Sequence, residues 1–294
     1  MTIDTHGEAR TTTVGGRTVA WTTVGDPTGS PTVYFHRAGG SRLEAAYLDA
    51  DAAAAGLHVI SVDRPGCGRT DPMPSRTLLR SVADLAAVLE VEGVDRFSVS
   101  GLSAGAMYAW ATGEAFADRV TKVVPVSPPV NSEPHADVRA AFSKQFKLSA
   151  FLSSRLPGLL AAMQRKQSKS FDRPDGQAKF VKAMRKISPD DATLLEDKAI
   201  FNTMRAISTE GRRQGHMGGE EFGLAWGPWG FDPAAQQVPC TIVFGSTDPL
   251  TPPIRIWLKH APHVESVEVP GGHLQTALAT GRAAVVEALK PSAA

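Results

Sequence analysis

The sequence predicts a mostly parallel, doubly wound α/β sheet that is broken by one long helical insertion and then resumed. Three observations carry that prediction. Short apolar runs alternate with helical patterns through residue 130, the same rhythm returns after residue 230, and the stretch between them is helical without a convincing strand. Strands alternating with helices of about 10–15 residues read as βαβ units, whose crossovers make neighbouring strands parallel.

The elements follow in order. Residues 17–24 and 32–36 read as strands, separated by the turn formers Gly25-Asp26-Pro27 and Gly29-Ser30-Pro31. His58 to Val62 is a strand, and Leu78 to Val91 a helix with apolar residues at 78, 79, 82, 85, 88 and 89. A strand at Phe97 to Ser100, a helix from Ser103 to Phe116 and a strand at Val120 to Val126 complete the first part. After the insertion, Thr241 to Phe244 and Val264 to Val269 are strands; Pro252 to His260 and Leu274 to Leu289 are helices. The expected division is a core of residues 1–130 and 231–294 and an all-helical cap, or lid, of residues 131–230. Within the cap, Ser188-Pro189-Asp190-Asp191 reads as a helix start, with serine as N-cap, proline in the first helical position and an acid closing a capping box. Residues 133–225 hold 16 Lys and Arg against 11 Asp and Glu, a net +5 in a chain whose total is +1.

Composition excludes several classes. With 42% hydrophobic and 21% charged residues, the 294-residue chain is too apolar for a disordered one and long enough to bury a core without staples. A net charge of +1 gives no field that would draw it to nucleic acid or an anionic membrane. No apolar run approaches the roughly 20 residues of a membrane span, and residues 1–10 have no signal-peptide pattern. Two cysteines, Cys67 and Cys240, are too few for a disulfide scaffold or a cysteine zinc site. The expectation is a cytoplasmic enzyme with no metal and no cofactor, and with its oligomeric state open.

The sharpest local signal is Gly101-Leu102-Ser103-Ala104-Gly105, which follows an apolar strand and opens a helix. That context is what a G-x-S-x-G nucleophile elbow requires: a serine on so tight a turn leaves no room for side chains two positions either side. A serine hydroxyl also needs a base, and the base an orienting acid. Asp248 sits in the loop after one late strand and His273 directly after the next, giving the order Ser103, Asp248, His273. All three fall at the carboxyl ends of strands, where functional groups gather in open α/β sheets. His58, His260 and His263 read as structural or exposed, His6 belongs to the tail, and His135 and His216 to the cap. Asp63 to Asp71 reads as a structural turn in which Asp63 pairs with a neighbour and Cys67 packs.

The chain resembles the α/β-hydrolase superfamily, in its branch with a helical cap, along essentially its whole length. The resemblance rests on His36-Arg37-Ala38-Gly39-Gly40-Ser41, Asp63-Arg64-Pro65-Gly66-Cys67-Gly68, the elbow, Gly245-Ser246-Thr247-Asp248 and Gly272-His273. It implies a catalytic triad of Ser103, His273 and Asp248, with an oxyanion hole from the backbone N–H groups of Ala38 and Ala104. One departure stands out: Arg37 occupies a position where the family has glycine. Its side chain either contacts an anionic or carbonyl-rich substrate or pairs with an acid such as Glu44 or Asp71. A serine at the elbow excludes the dehalogenase and epoxide-hydrolase branches, which use aspartate.

The implied activity is a serine esterase: hydrolysis of a carboxylic ester or lactone through an acyl-serine. The alternatives are a thioesterase, a C–C bond hydrolase, an acyltransferase or cyclase in a biosynthetic pathway, and a non-hydrolytic binding protein on the same fold. The partner is a small molecule with an apolar acyl or ring portion, with Arg37, Met107, Phe142, Phe146 and Trp226 as candidate substrate contacts. The cap carries no triad member, so its excision is expected to leave a soluble core.

Overall fold

Strand periodicity sets the two faces of the sheet. Val33 and Phe35 point into one buried cluster with Trp21, Ile60, Trp110 and Trp257, while Tyr34 points into the other with Val59, Leu102 and Val124. The structure is a computed structural model and describes residues 9–215 and 219–291; His6 and His216 lie outside them. Eight strands form one sheet: β1 (Arg10–Val14), β2 (Arg17–Gly25), β3 (Ser30–Phe35), β4 (Leu57–Val62), β5 (Phe97–Leu102), β6 (Val120–Val126), β7 (Thr241–Gly245) and β8 (Glu265–Val269). Their spatial order is β1-β2-β4-β3-β5-β6-β7-β8. The β1–β2 and β2–β4 pairs are antiparallel and the rest parallel.

The order reverses between β3 and β5, where Phe35 pairs with Gly101. The loops leaving these two strands therefore start side by side, at the crevice where ligands bind in such sheets. β1 was not expected, because Arg-Thr-Thr-Thr-Val lacks apolar alternation; it is an edge strand carried by pairing with β2. Two expected helices are each divided. The first splits into Leu78–Ala83 and Leu85–Glu92, with Asp84 between them holding Arg17 at 2.6 Å. The last splits into Gln275–Leu278 and Arg282–Leu289 around Ala279.

Among the described residues between β6 and β7, seven α-helices run from Ala136 to Trp226, with no strand. The expected capping box is absent from the helix Pro189–Leu194. Ser188 is its N-cap, but its hydroxyl makes no capping bond. The Asp191 carboxylate is engaged with a different helix, described below. No helix of the described residues is long and apolar enough to cross a membrane.

Candidate active site

Ser103 stands between β5 and the helix Ala104–Ala115 with φ 56° and ψ −120°, a conformation that L-residues adopt only under constraint. The constraint is visible in its neighbours. A Cβ on Gly101 would lie 2.3 Å from Gly105 O, and one on Gly105 would lie 2.1 Å from Phe35 O. Helix and strands are so close at this turn that only glycine fits at both positions.

His273 and Asp248 come from adjacent loops. Ser246 N donates to Val269 O at 2.8 Å and Thr247 N to Gly271 O at 3.1 Å, lashing the loop after β7 to the loop after β8. The imidazole Nδ1 then donates to Asp248 Oδ2 at 2.8 Å, leaving Nε2 as the basic nitrogen. Asp248 is buried, and Oδ1 also accepts from Leu250 N at 2.8 Å. Burial works against a charged imidazole, but the carboxylates of Asp248 and Asp191 outweigh it and hold the His273 pKa above its ordinary value.

Asp191 reaches this loop from the inserted helices. Its Oδ2 accepts from His273 N at 3.0 Å, and its Oδ1 from Leu274 N at 2.9 Å and Gln275 N at 3.1 Å. An ionised carboxylate thus satisfies three donors at the start of the helix Gln275–Leu278, where its charge also suits the helix end. The sequence signal at Asp191 was a capping acid; the helix it caps is more than 80 residues away.

Ser103, His273 and Asp248 line one cavity of about 470 Å³, together with Ala38, Ala104 and side chains of the inserted helices. Among the described residues neither Ala38 N–H nor Ala104 N–H donates to a protein acceptor. Among the described residues, Ser103 Oγ and the His273 imidazole share no hydrogen bond; the imidazole bonds Asp248.

The alpha/beta hydrolase family model matches residues 25–288. The chain belongs to that family. Solved structures agree on the fold across nearly all of the hydrolase chain. It is similar to the thioesterase domain from the curacin biosynthetic pathway (TM-score 0.64, 17% identity, 96% of this chain and 99% of that one). It is also similar to the enol-lactonase from Burkholderia xenovorans LB400 (0.65, 15%, 96% and 100%) and to a thermophilic esterase from Thermogutta terrifontis (0.62, 17%, 96% and 96%).

The hydrolase cavity sorts the remaining candidates. Arg37, Met107 and Phe146 are on its wall. Phe142 and Trp226 are not: Phe142 stacks on Phe146 at 4.4 Å between ring centroids, and Trp226 packs edge-on to Phe142 under the Arg139 guanidinium. Both are one layer behind the wall, because the aromatic cluster that seats the inserted helices absorbs them. Trp110 packs between Trp229 and Trp257 in the core. Phe151, Leu156, Leu159 and Met163 are about half exposed and do not line the cavity. His260 pairs with Asp137 and stacks on His135, also away from it.

Arg37 is paired as one of the two readings required. Its Nε lies 3.4 Å from Glu44 Oε2, and its backbone N–H donates to Glu44 Oε1 at 2.8 Å. Asp71 instead accepts from Thr18 N. Asp63 holds Arg42 through both carboxylate oxygens, and Arg42 extends on to Glu210 of the inserted helices at 2.8 Å.

Beneath the cavity lies an ionic group that sequence reasoning missed. Glu221, on the helix Glu220–Trp226, pairs with Arg64 and with Arg76 at 3.1 Å, and Tyr108 Oη donates to it at 3.1 Å. Arg64 is fully buried, stacks over Tyr108 and donates to Arg37 O at 2.9 Å. His36 beside it is kept neutral by burial and by the Arg64 charge. The guanidinium of Arg64 therefore fixes the backbone of the loop that carries Ala38.

Proposed function

We propose that this chain is a serine hydrolase that cleaves a carboxylic ester or lactone through an acyl-Ser103 intermediate. The observation that carries the reading is the placement of Ser103, on its constrained turn, in one cavity wall with the His273–Asp248 pair. In the first half-reaction, Ser103 Oγ attacks the carbonyl carbon while its proton passes to His273 Nε2. The oxyanion accepts hydrogen bonds from Ala38 N–H and Ala104 N–H, donors that no protein acceptor among the described residues engages. Collapse breaks the C–O bond, and His273 returns the proton to the departing alkoxide. In the second half-reaction water attacks acyl-Ser103, His273 again takes the proton, and the acid leaves with Ser103 restored. The Ser103–His273 hydrogen bond forms as substrate enters, as such bonds tighten in the bound complex. Asp248 keeps Nδ1 protonated and stabilises the imidazolium. The helices of residues 131–230 act as the cap that closes over the substrate, which sits among Met107, Phe146, Phe222 and Leu250.

A fluorophosphonate probe and a p-nitrophenyl ester series test this reading. The expected result is covalent labelling and ester turnover, both abolished in Ser103→Ala. Labelling that persists in Ser103→Ala would overturn it. A thioester series run in parallel decides whether sulfur leaving groups are preferred.

A further inference from the structure

The cavity wall carries positive charge that ester hydrolysis does not use. Its acids are matched: Asp248 by His273, Glu221 by Arg64 and Arg76, and Asp191 by three backbone N–H groups. Two arginines are also on the wall: Arg37, whose charge Glu44 counters from behind, and Arg212.

Arg37 is 9% exposed and held from behind, with Nε against Glu44 and Nη2 donating to Ser208 Oγ at 3.2 Å. Among the described residues its Nη1 has no protein partner. Arg212 closes the helix Lys198–Gly211, and among the described residues its guanidinium donates only to Thr209 Oγ1, at 3.3 Å. Among the described residues, no carboxylate comes within ion-pair distance of it. Burial, partly countered by Asp172 and reinforced by Arg37, makes its charged form less favourable than usual. Burial and the neighbouring Arg37 charge both disfavour the Arg212 cation on this mainly apolar wall, and an anion between the two guanidinium groups would relieve both costs. Guanidinium forks suit a carboxylate better than a lysine would, and the low-dielectric wall strengthens the pairing.

We propose that Arg37 and Arg212 form an anion subsite of the hydrolase cavity, so that the ester or lactone cleaved at Ser103 carries a carboxylate. The proposal rests on the serine-hydrolase reading for its reaction but not for its binding. It also accounts for arginine, rather than glycine, directly before Ala38: the position places a cation on the loop that holds the oxyanion donor.

Matched substrate pairs test it. On the acyl side, the p-nitrophenyl monoesters of glutaric and adipic acids are compared with p-nitrophenyl pentanoate and hexanoate. On the leaving-group side, 4-acetoxybenzoate is compared with phenyl acetate. The expected result is a kcat/KM preference for the charged member of about tenfold or more in at least one series. That ratio should shrink with added salt, collapse in Arg212→Gln and survive in part in Arg212→Lys. Equal or poorer turnover of the charged members in both series would overturn the subsite while leaving the hydrolase reading intact. If no ester is turned over, the hydrolase reading fails, and calorimetric titration of Ser103→Ala with glutarate decides the subsite separately. Binding that is lost on adding Arg212→Gln supports it; no binding, or binding indifferent to Arg212→Gln, overturns it.

Discussion

The Asp191 carboxylate holds the backbone of His273: one oxygen accepts the His273 N–H, and the other accepts those of the next two residues. A residue of the inserted helices thus fixes the backbone of the His273 loop. Asp191→Ala leaves three donors without their acceptor, each worth about 1–3 kcal/mol if it stays buried. The expected outcome is a large fall in kcat with little change in KM, and a lower Tm. Asp191→Asn keeps the shape but removes the charge that helps raise the His273 pKa, so the acid limb of its pH–rate profile should move to lower pH. Wild-type kcat and an unmoved limb in Asp191→Asn would reject the positioning role.

On the proposed mechanism, activity should fall as pH drops through the His273 pKa, because only a neutral imidazole can accept the Ser103 proton. With that pKa raised, the acid limb of kcat/KM is expected above the ordinary histidine value of about 6.5. Asp248→Asn should shift the limb down and cost activity by about 10⁴, as loss of the orienting acid does in a serine protease. The stability sign follows from the same shift. The protonated pair contributes most below the unfolded-state pKa, and the contribution disappears as pH rises through the folded one. Tm and kcat/KM measured from pH 5 to 9 check both.

Gly105→Ala puts a methyl 2.1 Å from Phe35 O, and Gly101→Ala one 2.3 Å from Gly105 O. Both are backbone atoms that cannot rotate away. Each variant should lose fluorophosphonate labelling along with several degrees of Tm. Gly93→Asn is the control: its φ is 66°, nothing lies within 4 Å of its Cβ position, and asparagine tolerates that conformation. It should label normally and melt close to wild type.

Excision of residues 133–225, expected from the sequence to leave a soluble core, has a different outcome in view of the contacts. It would strip Arg64 and Arg76 of Glu221, Arg42 of Glu210 and the His273 loop of Asp191. The excised chain should be insoluble or molten. A narrower test is Glu221→Ala, which leaves the buried Arg64 charge without its carboxylate; breaking such a pair costs about 3–5 kcal/mol, read by denaturant unfolding. A stable, cooperative core from the excised chain would reject the coupling.

The sheet, the long helical insertion, the elbow and the order Ser103, Asp248, His273 were legible because each is written locally. Alternation marks a strand within a few residues, and Gly101 and Gly105 are imposed by a turn only five residues long. Expectations failed where a local pattern had a distant competitor. Ser188-Pro189-Asp190-Asp191 has the form of a capping box, yet Asp191 goes to His273; Phe142 and Trp226 have the character of pocket residues, yet pack against each other and Phe146 behind the wall.

What the sequence determined by itself was the architecture and the strand-end placement of Ser103, Asp248 and His273, since periodicity, glycine sterics and strand-end positions act along the chain. Only the tertiary structure decided which charges meet. Arg64 finds Glu221 across 157 positions and Arg42 finds Glu210 across 168. Arg37 takes Glu44, while Arg212 is left on the cavity wall. Ion pairing depends on distance and burial in space, and neither is encoded in the spacing of residues along a chain.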